Sequence, residues 1–165
     1  MKDDVLLVHN WWSDQQYMGE YQDVRILSKE ELQKVMLENT IFFIVEKKDG
    51  TKIGHVGSWM MGRTMEIGFA LLPKERRKGY GAEAIQIMID HLFITKDIAR
   101  IQASTDTKNE ASQKALEKAG FTKEGTMRKS WYTKGEYRDH YLYSILREEW
   151  KEPRILTSAG KKQTA

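Results

Sequence analysis

The 165-residue chain contains no cysteine. Disulfides, thiolate-bound zinc, iron–sulfur clusters and thiol nucleophiles are thereby excluded together. A cysteine-free composition fits a reducing, cytoplasmic setting. Proline occurs only twice, at Pro73 and Pro153, so long proline-rich linkers are absent. No uncharged stretch approaches the roughly 18 apolar residues that a spanning helix needs. The opening Met1-Lys2-Asp3-Asp4, with a short apolar run ending at His9, makes a poor signal peptide. An excess of one charge is missing too: 27 Lys+Arg against 24 Asp+Glu leave a net +3. Nucleic-acid binding through a dense basic face is not expected from that balance. His9, His55 and His91 lack ligand spacing, and no metal site is expected.

What remains is 40% hydrophobic and 10% aromatic residues, enough for the core of one domain. Asp4 is a candidate N-cap for a first helix carrying Val5, Val8, His9 and Trp12 at helical spacing. Ser28 and Glu31 form a capping box ahead of a second helix with Leu32, Val35 and Met36 inward. The period then shortens. Ile41 to Lys47, Ile53 to Met61 and Met65 to Leu72 read as three strands, joined at Asp49-Gly50 and Gly62-Arg63. Pro73 stops the third. A long helix follows Gly81 with Ala82, Ile85, Met88, Ile89 and Leu92 on one face. Arg100 to Thr105 is a further strand. Asn109 caps a short helix ending at Gly120, with Ala111, Ala115, Leu116 and Ala119 inward. A hairpin, Met127 to Thr133 and Asp139 to Leu146, closes the domain. It spans residues 1–150, and residues 151–165 read as a mobile tail.

The segment from Met65 to Ala84 carries the chemistry. A strand ends, a basic loop (Lys74, Glu75, Arg76, Arg77, Lys78) turns, and Gly79 and Gly81 open a helix. Bare N–H groups at a helix N-terminus, with the dipole behind them, form an anion site. The Walker pattern is excluded because no Gly-Lys-Ser/Thr follows. Gly79-x-Gly81-x-x-Ala84 has the spacing of a dinucleotide fingerprint. That fingerprint, however, belongs directly after the first strand of a parallel unit. Here three antiparallel strands come first.

Arg76-x-x-Gly79-x-Gly81 resembles the Arg/Gln-x-x-Gly-x-Gly/Ala motif of the GNAT family of acetyl-CoA-dependent N-acetyltransferases. Glu66-Ile67-Gly68-Phe69-Ala70-Leu71 resembles its central strand. Asn109-Glu110-Ala111-Ser112 and Leu116 to Phe121 are similar to its second helix and the following strand. Gly135 to Ser144 resembles the closing strands of the branch that acetylates ribosomal-protein N-termini. The resemblance runs from about Ile41 to Trp150 and implies an α+β fold. In that fold a mixed, mostly antiparallel sheet is flanked by helices and splays between the two strands that hold the cofactor. It further implies acetyl-CoA as cosubstrate, with the diphosphate on the N–H groups of Arg76, Arg77, Lys78, Gly79, Tyr80, Gly81 and Ala82. The pantetheine arm would lie along Phe69, Ala70 and Leu71, with Asn109 on its other side.

For an acyl transfer to an amine, Glu66 is the candidate base, since a carboxylate in an apolar strand needs a reason. The alternative is an outward, solvated Glu66. Ser112 is the candidate acid for the leaving thiolate, against the plainer reading of an exposed first-turn residue. The tyrosine that the family carries four residues before its Gly-Phe pair is replaced here by Leu116. Tyr143 and His140, on opposite faces of the last strand, are candidates for a proton relay or for packing. Trp11, Trp12, Tyr17, Tyr21, Trp131, Tyr132 and Tyr137, with Asp14, Glu20 and Asp23, suit a cationic amine, except where the tryptophans are core. The expected acceptor is a peptide or protein N-terminal amine. A polyamine or aminoglycoside-like amine is the alternative, and a non-catalytic acetyl-CoA-binding module the rival. The strand that precedes the family's first helix is either missing or truncated here, and a missing edge strand favours a homodimer or a rearranged edge.

Overall fold

The computed structural model describes residues 2–37 and 40–154. Two helices come first, α1 (Lys2–Ser13) and the short α2 (Gln15–Met18), followed by α3 (Lys29–Leu37). The meander is β1 (Thr40–Glu46), β2 (Lys52–Met61) and β3 (Thr64–Leu71). A 3-10 turn over Pro73–Glu75 leads towards α4 (Tyr80–Thr95). The chain continues with β4 (Arg100–Asp106), α5 (Glu110–Ala119), β5 (Thr122–Thr133) and β6 (Glu136–Leu146).

One six-stranded sheet has the order β1-β2-β3-β4-β6-β5. Every neighbouring pair is antiparallel except β3 and β4. The mixed, mostly antiparallel α+β architecture expected from the sequence is present. The parallel ladder holds only Met65↔Ile101 and Glu66↔Gln102. Both strands then run on unpaired with each other, β3 to Leu71 and β4 to Asp106, which leaves a wedge between them.

Alternation of side chains gives the sheet two different cores. On one face α4 and α5 pack Ile85, Met88, Leu92 and Leu116 against Val56, Ile67, Ile101, Ala103 and Ile145. On the other, α1 to α3 bring Val8, Trp11, Trp12, Tyr17 and Leu32 against Phe42, Ile44 and Ala70. The capping box forms as read: Ser28 N–H donates to Glu31 at 2.7 Å and Glu31 N–H to Ser28 Oγ at 3.1 Å. Asn109 Oδ1 accepts from Ser112 N–H at 3.1 Å, and Gly120 ends α5 at φ 105°.

Three expectations are corrected. Asp4 lies inside α1 and pairs with Lys52 Nζ at 2.6 Å, because α1 starts earlier than a cap at Asp4 allows. Val35 and Ala111 are exposed; Leu32 and Leu116 carry those helix contacts. The expectation that at least one of Trp11 and Trp12 is core is met by both. Trp12 meets the sheet, while α2 folds back so that Tyr17 stacks on Trp11 at 5.1 Å. That second turn is initiated by Asp14, which accepts from Gln16 N–H and so caps α2. Finally, Arg154 N–H donates to the buried Asp90 at 3.0 Å and Trp150 Nε1 to the same carboxylate at 2.8 Å. The chain therefore packs back on α4 as far as Arg154; residues 155–165 lie outside the described residues.

Among the described residues β1 is an uncovered sheet edge, flanked by α1, α3 and α4 around a groove of ≈ 1540 Å³.

Leu92 is fully buried between α4 and the sheet. Leu92→Ala is expected to lower the unfolding free energy by about 2–5 kcal/mol. Urea denaturation followed by circular dichroism measures this, and a loss under about 0.5 kcal/mol would contradict the placement of this core.

Candidate active site at the strand wedge

The turn before α4 leaves a run of helix-terminal N–H groups open. Gly79 is its N-cap with φ 91°, a conformation that side chains resist, and Arg77 is also left-handed at φ 62°. The first intrahelical bond runs from Glu83 N–H to Gly79 C=O. The preceding N–H groups, from residue 77 to residue 82, have no partner among the described residues. Gly81 faces the end of β3: a Cβ there would lie 3.4 Å from the Phe69 ring and 3.8 Å from Leu71.

The basic residues divide. Arg76 N–H donates to Pro73 C=O. The Arg76 guanidinium donates to Leu71 C=O at 3.0 Å, Gln16 C=O at 3.1 Å and Tyr17 C=O at 2.7 Å. Arg76 thus ties the end of β3 to α2: its backbone N–H, Nε and Nη2 are engaged there and its Nη1 lies towards Gly19, which corrects its expected place on a diphosphate. Lys78 pairs with the buried Glu75 at 3.0 Å. Arg77, exposed at the start of that run, has no ion pair among the described residues.

Strand parity sorts the backbone of β3. Leu72 N–H donates to Ile53 C=O. Antiparallel alternation then makes Ala70 and His55 a hydrogen-bonded pair, while Phe69 and Leu71 turn their polar groups towards the wedge. Ala70 C=O also accepts from Tyr17 Oη at 3.1 Å. Phe69 N–H and C=O and Leu71 N–H therefore face the wedge, Leu71 C=O being held by Arg76. The Ala70 groups point to β2 instead, against the expectation for that residue. Asn109, at the start of α5, uses Oδ1 for the cap, and its amide N–H donors have no partner among the described residues. Ser112 is half-buried beside it.

Glu66 sits at the apex, in the last pair before the strands part. It is 8% exposed, so the solvated alternative does not hold. Gln102 Nε2 donates to Oε2 at 3.1 Å and Ser104 Oγ to Oε1 at 3.0 Å. One donor per oxygen leaves lone pairs free for a further proton. Along β4, Gln102, Ser104 and Asp106 share the face of Glu66; the apolar Ile101 and Ala103 face the other way. Asp106 accepts from Arg138 at 3.1 Å and from Lys108 N–H at 2.8 Å. His140 lies opposite Asp106, stacked on Trp131 at 5.9 Å. Burial holds its imidazole below the ordinary range, opposed by the Asp106 and Glu66 carboxylates. Gln102, Ser104, Asp106 and Arg138 escaped the sequence reading. The polar residues alternating through Arg100 to Asp106 were the available signal.

Tyr143 is not brought to Glu66. It is fully buried on the opposite face and donates to Glu117 at 3.0 Å. Burial and that carboxylate push its phenol up to about 12. Other expected acceptor groups serve the fold: Asp14 caps α2, and Asp23 accepts from Lys134 N–H at 3.1 Å. Lys134 Nζ also donates to Gly19 C=O, which holds the β5–β6 hairpin tip against the loop after α2. Trp131, Tyr132 and Tyr137 stand exposed on that hairpin.

A sequence profile described as "Acetyltransferase (GNAT) domain" matches residues 1–122. The chain belongs to the GNAT family. YnaD of Bacillus subtilis, described as an uncharacterized N-acetyltransferase, is 32% identical over 111 residues, covering 66% of this chain and 65% of that protein. The match thus spans a little under two thirds of that relative's length. A [Ribosomal protein uS5]-alanine N-acetyltransferase of Escherichia coli is 31% identical over 84 residues, 51% of this chain and 43% of that protein. A GNAT-family acetyltransferase structure from Bacillus anthracis superposes with a TM-score of 0.76 at 30% identity, covering 90% of this chain and 92% of the other. Spermidine N-acetyltransferase from Vibrio cholerae, solved with CoA and spermine, gives 0.75 at 21% identity over 91% and 94% of the two chains. At that identity the likeness extends to the fold.

Behind the wedge, His55 is buried among Trp12, Tyr17 and Phe42, with Nδ1 2.7 Å from Tyr17 Oη. Burial and the nearby Arg25 charge push it down to about 3. The unfolded chain takes up this proton near pH 6.5 and the folded chain does not. Stability supplied by neutral His55 is whole above about pH 6.5 and declines as pH falls towards 3, by up to ~1.4 kcal/mol per pH unit. Denaturation between pH 7 and 4.5 checks this. His55→Gln is expected to flatten the slope, and an unchanged slope would remove His55 as its source.

Proposed function

We propose that the protein transfers the acetyl group of acetyl-CoA to a primary amine by direct attack in a ternary complex, the acceptor being a peptide or protein N-terminal α-amine. One observation carries the reading: an unpartnered run of helix-terminal N–H groups opens beside a strand wedge with a buried, hydrogen-bonded carboxylate at its apex. A diphosphate suits the turn chemically, since its oxygens would accept from the N–H groups of residues 77–82 next to the free charge of Arg77. Phe69 and Leu71 on one side, and the Asn109 amide on the other, would hold the arm. Acetyl-CoA, when bound, supplies an acetyl group already activated as a thioester.

The chain's own residues then have three tasks. Glu66 takes the proton of the amine, directly or through one water, while Gln102 and Ser104 fix its carboxylate. At pH 7 freeing an α-amine costs ~1.4 kcal/mol and freeing a lysine-like amine ~4.6 kcal/mol, so a simple carboxylate base suits the former. The β3 N–H groups that face the wedge stabilise negative charge developing on the carbonyl oxygen. Ser112, in the first turn of α5, is the proposed proton donor to the departing sulfur. Tyr143 is assigned no part in the chemistry, being enclosed in the core on the far face.

The ribosomal-protein relative acts on an alanine N-terminus, in keeping with the α-amine reading. The polyamine alternative would call for several free carboxylates along the cleft. Beyond Glu66, the acid on this face of β4 is Asp106, already paired with Arg138. In the non-catalytic alternative Glu66 is idle.

Glu66→Gln is expected to lower kcat by about 10²–10⁴-fold while acetyl-CoA affinity stays within twofold. Thiol release with a tripeptide acceptor and calorimetric titration measure the two quantities. Unchanged turnover would remove Glu66 as base, and saturable binding without turnover on any amine would favour the binding module. Gly79→Val, which puts a β-branched side chain at φ 91°, is expected to abolish acetyl-CoA binding. Retained affinity would refute the diphosphate seat.

A further inference from the structure

A cavity of ≈ 280 Å³ opens on the face of Glu66, between the sheet and the α1–α3 layer. Its floor is made by two strand glycines. A Cβ on Gly68 would lie 3.0 Å from the Trp59 ring, and one on Gly57 3.3 Å from Phe42. Each glycine lets an aromatic ring lie flat on the sheet. Trp59 is the register partner of Glu66, and Gly68 follows Glu66 on the same face of β3, so the cavity adjoins the proposed base.

Its walls are mostly apolar, with Trp12, Met18, Val35, Phe42, Trp59 and Phe69, and the uncharged Gln22, Thr40 and Ser58 are its polar members. No carboxylate lines it among the described residues. The charged group at its rim is Arg25, whose guanidinium lies 4.8 Å from the Trp12 ring centre and has no hydrogen bond or ion pair among the described residues. His55, also in the lining, is held neutral by burial. A cationic chain entering this space would lose water, find no carboxylate in the lining and meet a positive group at the rim. An uncharged apolar group would bury its surface against four aromatic rings, Trp12, Phe42, Trp59 and Phe69.

We propose that this cavity receives the side chain of the acceptor's first residue and selects an uncharged apolar one, with Arg25 excluding cations. The inference rests on the α-amine acetyltransfer proposed above and names the acceptor class that the same site takes: peptides that begin with a residue such as Leu or Phe. Polyamines and Lys-initiated peptides are disfavoured.

The test reads binding and turnover separately. Tripeptides X-Gly-Gly, with X as Leu, Phe, Ala or Lys, and spermidine are titrated into the CoA-saturated protein. Trp12 and Trp59 line the cavity, so intrinsic fluorescence reports occupancy without chemistry. Leu- or Phe-initiated peptides are expected to bind at least about tenfold more tightly than Lys-Gly-Gly or spermidine. Val35→Trp, which fills the cavity from its exposed rim, should remove the advantage of Leu and Phe over Ala. Arg25→Glu should narrow the gap to Lys-Gly-Gly at least several-fold. Equal or tighter binding of Lys-Gly-Gly or spermidine to the unmodified protein overturns the assignment, as does an unchanged preference order in both variants. In the parallel thiol-release assay, selective binding without turnover on any amine defeats the acetyltransfer reading and leaves the cavity's selectivity standing. Turnover with a preference for cations defeats the cavity assignment alone.

Discussion

The parting of β3 from β4 is the constraint on which the rest of the molecule depends. Two residue pairs of parallel ladder, Met65↔Ile101 and Glu66↔Gln102, hold the halves of the sheet together. Beyond them, polar groups of both strands that a continuous sheet would satisfy are turned to open space. Buried backbone groups left unpaired are costly, so such a gap persists where something else fills it. The helix that follows β3 starts with its own unpartnered N–H groups at the mouth of that gap. An elongated ligand with an anionic end and amide groups along its length would satisfy both sets of donors.

The two faces of the sheet divide the labour. The α4–α5 side is a conventional apolar core, with Ile85, Met88 and Leu92 fully buried, and it fixes the position of the α4 N-terminus. The α1–α3 side is more polar near the wedge. There Glu66, Gln102, Ser104, Asp106, Arg138 and His140 form a connected patch, bounded by aromatic rings at one end and the β5–β6 hairpin at the other. Arg76 links the sides: from the turn before α4 its guanidinium grips the end of β3 and the carbonyls of α2. A residue that looks in the sequence like part of an anion site is, in the fold, the brace that holds α2 to the end of β3.

Much of the fold was legible because its signals are local. The Ser28–Glu31 box, the Asp49-Gly50 turn, Pro73, the Asn109 cap and Gly120 each act within a few residues, and each falls where it was read. Strand parity was harder. Whether Ala70 or its neighbours face the wedge follows from pairing with His55 on β2, a contact set by register over the whole meander. Tyr143 and His140 were correctly put on opposite faces, yet nothing near them in sequence tells which face holds Glu66. The partners of Glu66 come from β4, 36 and 38 positions away. The fate of the acids was hidden for the same reason: Asp14 caps a helix and Asp23 meets a hairpin 111 residues distant. The burial of both Trp11 and Trp12 depends on α2 folding back, which the helical period of α1 alone does not reveal.

An X-ray structure of the acetyl-CoA complex tests most directly whether the turn before α4 and the wedge beside it form a single ligand seat. The diphosphate is expected on the N–H groups of residues 77–82, with the arm alongside Phe69 and Leu71 and the thioester reaching the level of Glu66. A complex with that turn empty, or with β3 and β4 closed on each other and the ligand elsewhere, would contradict it.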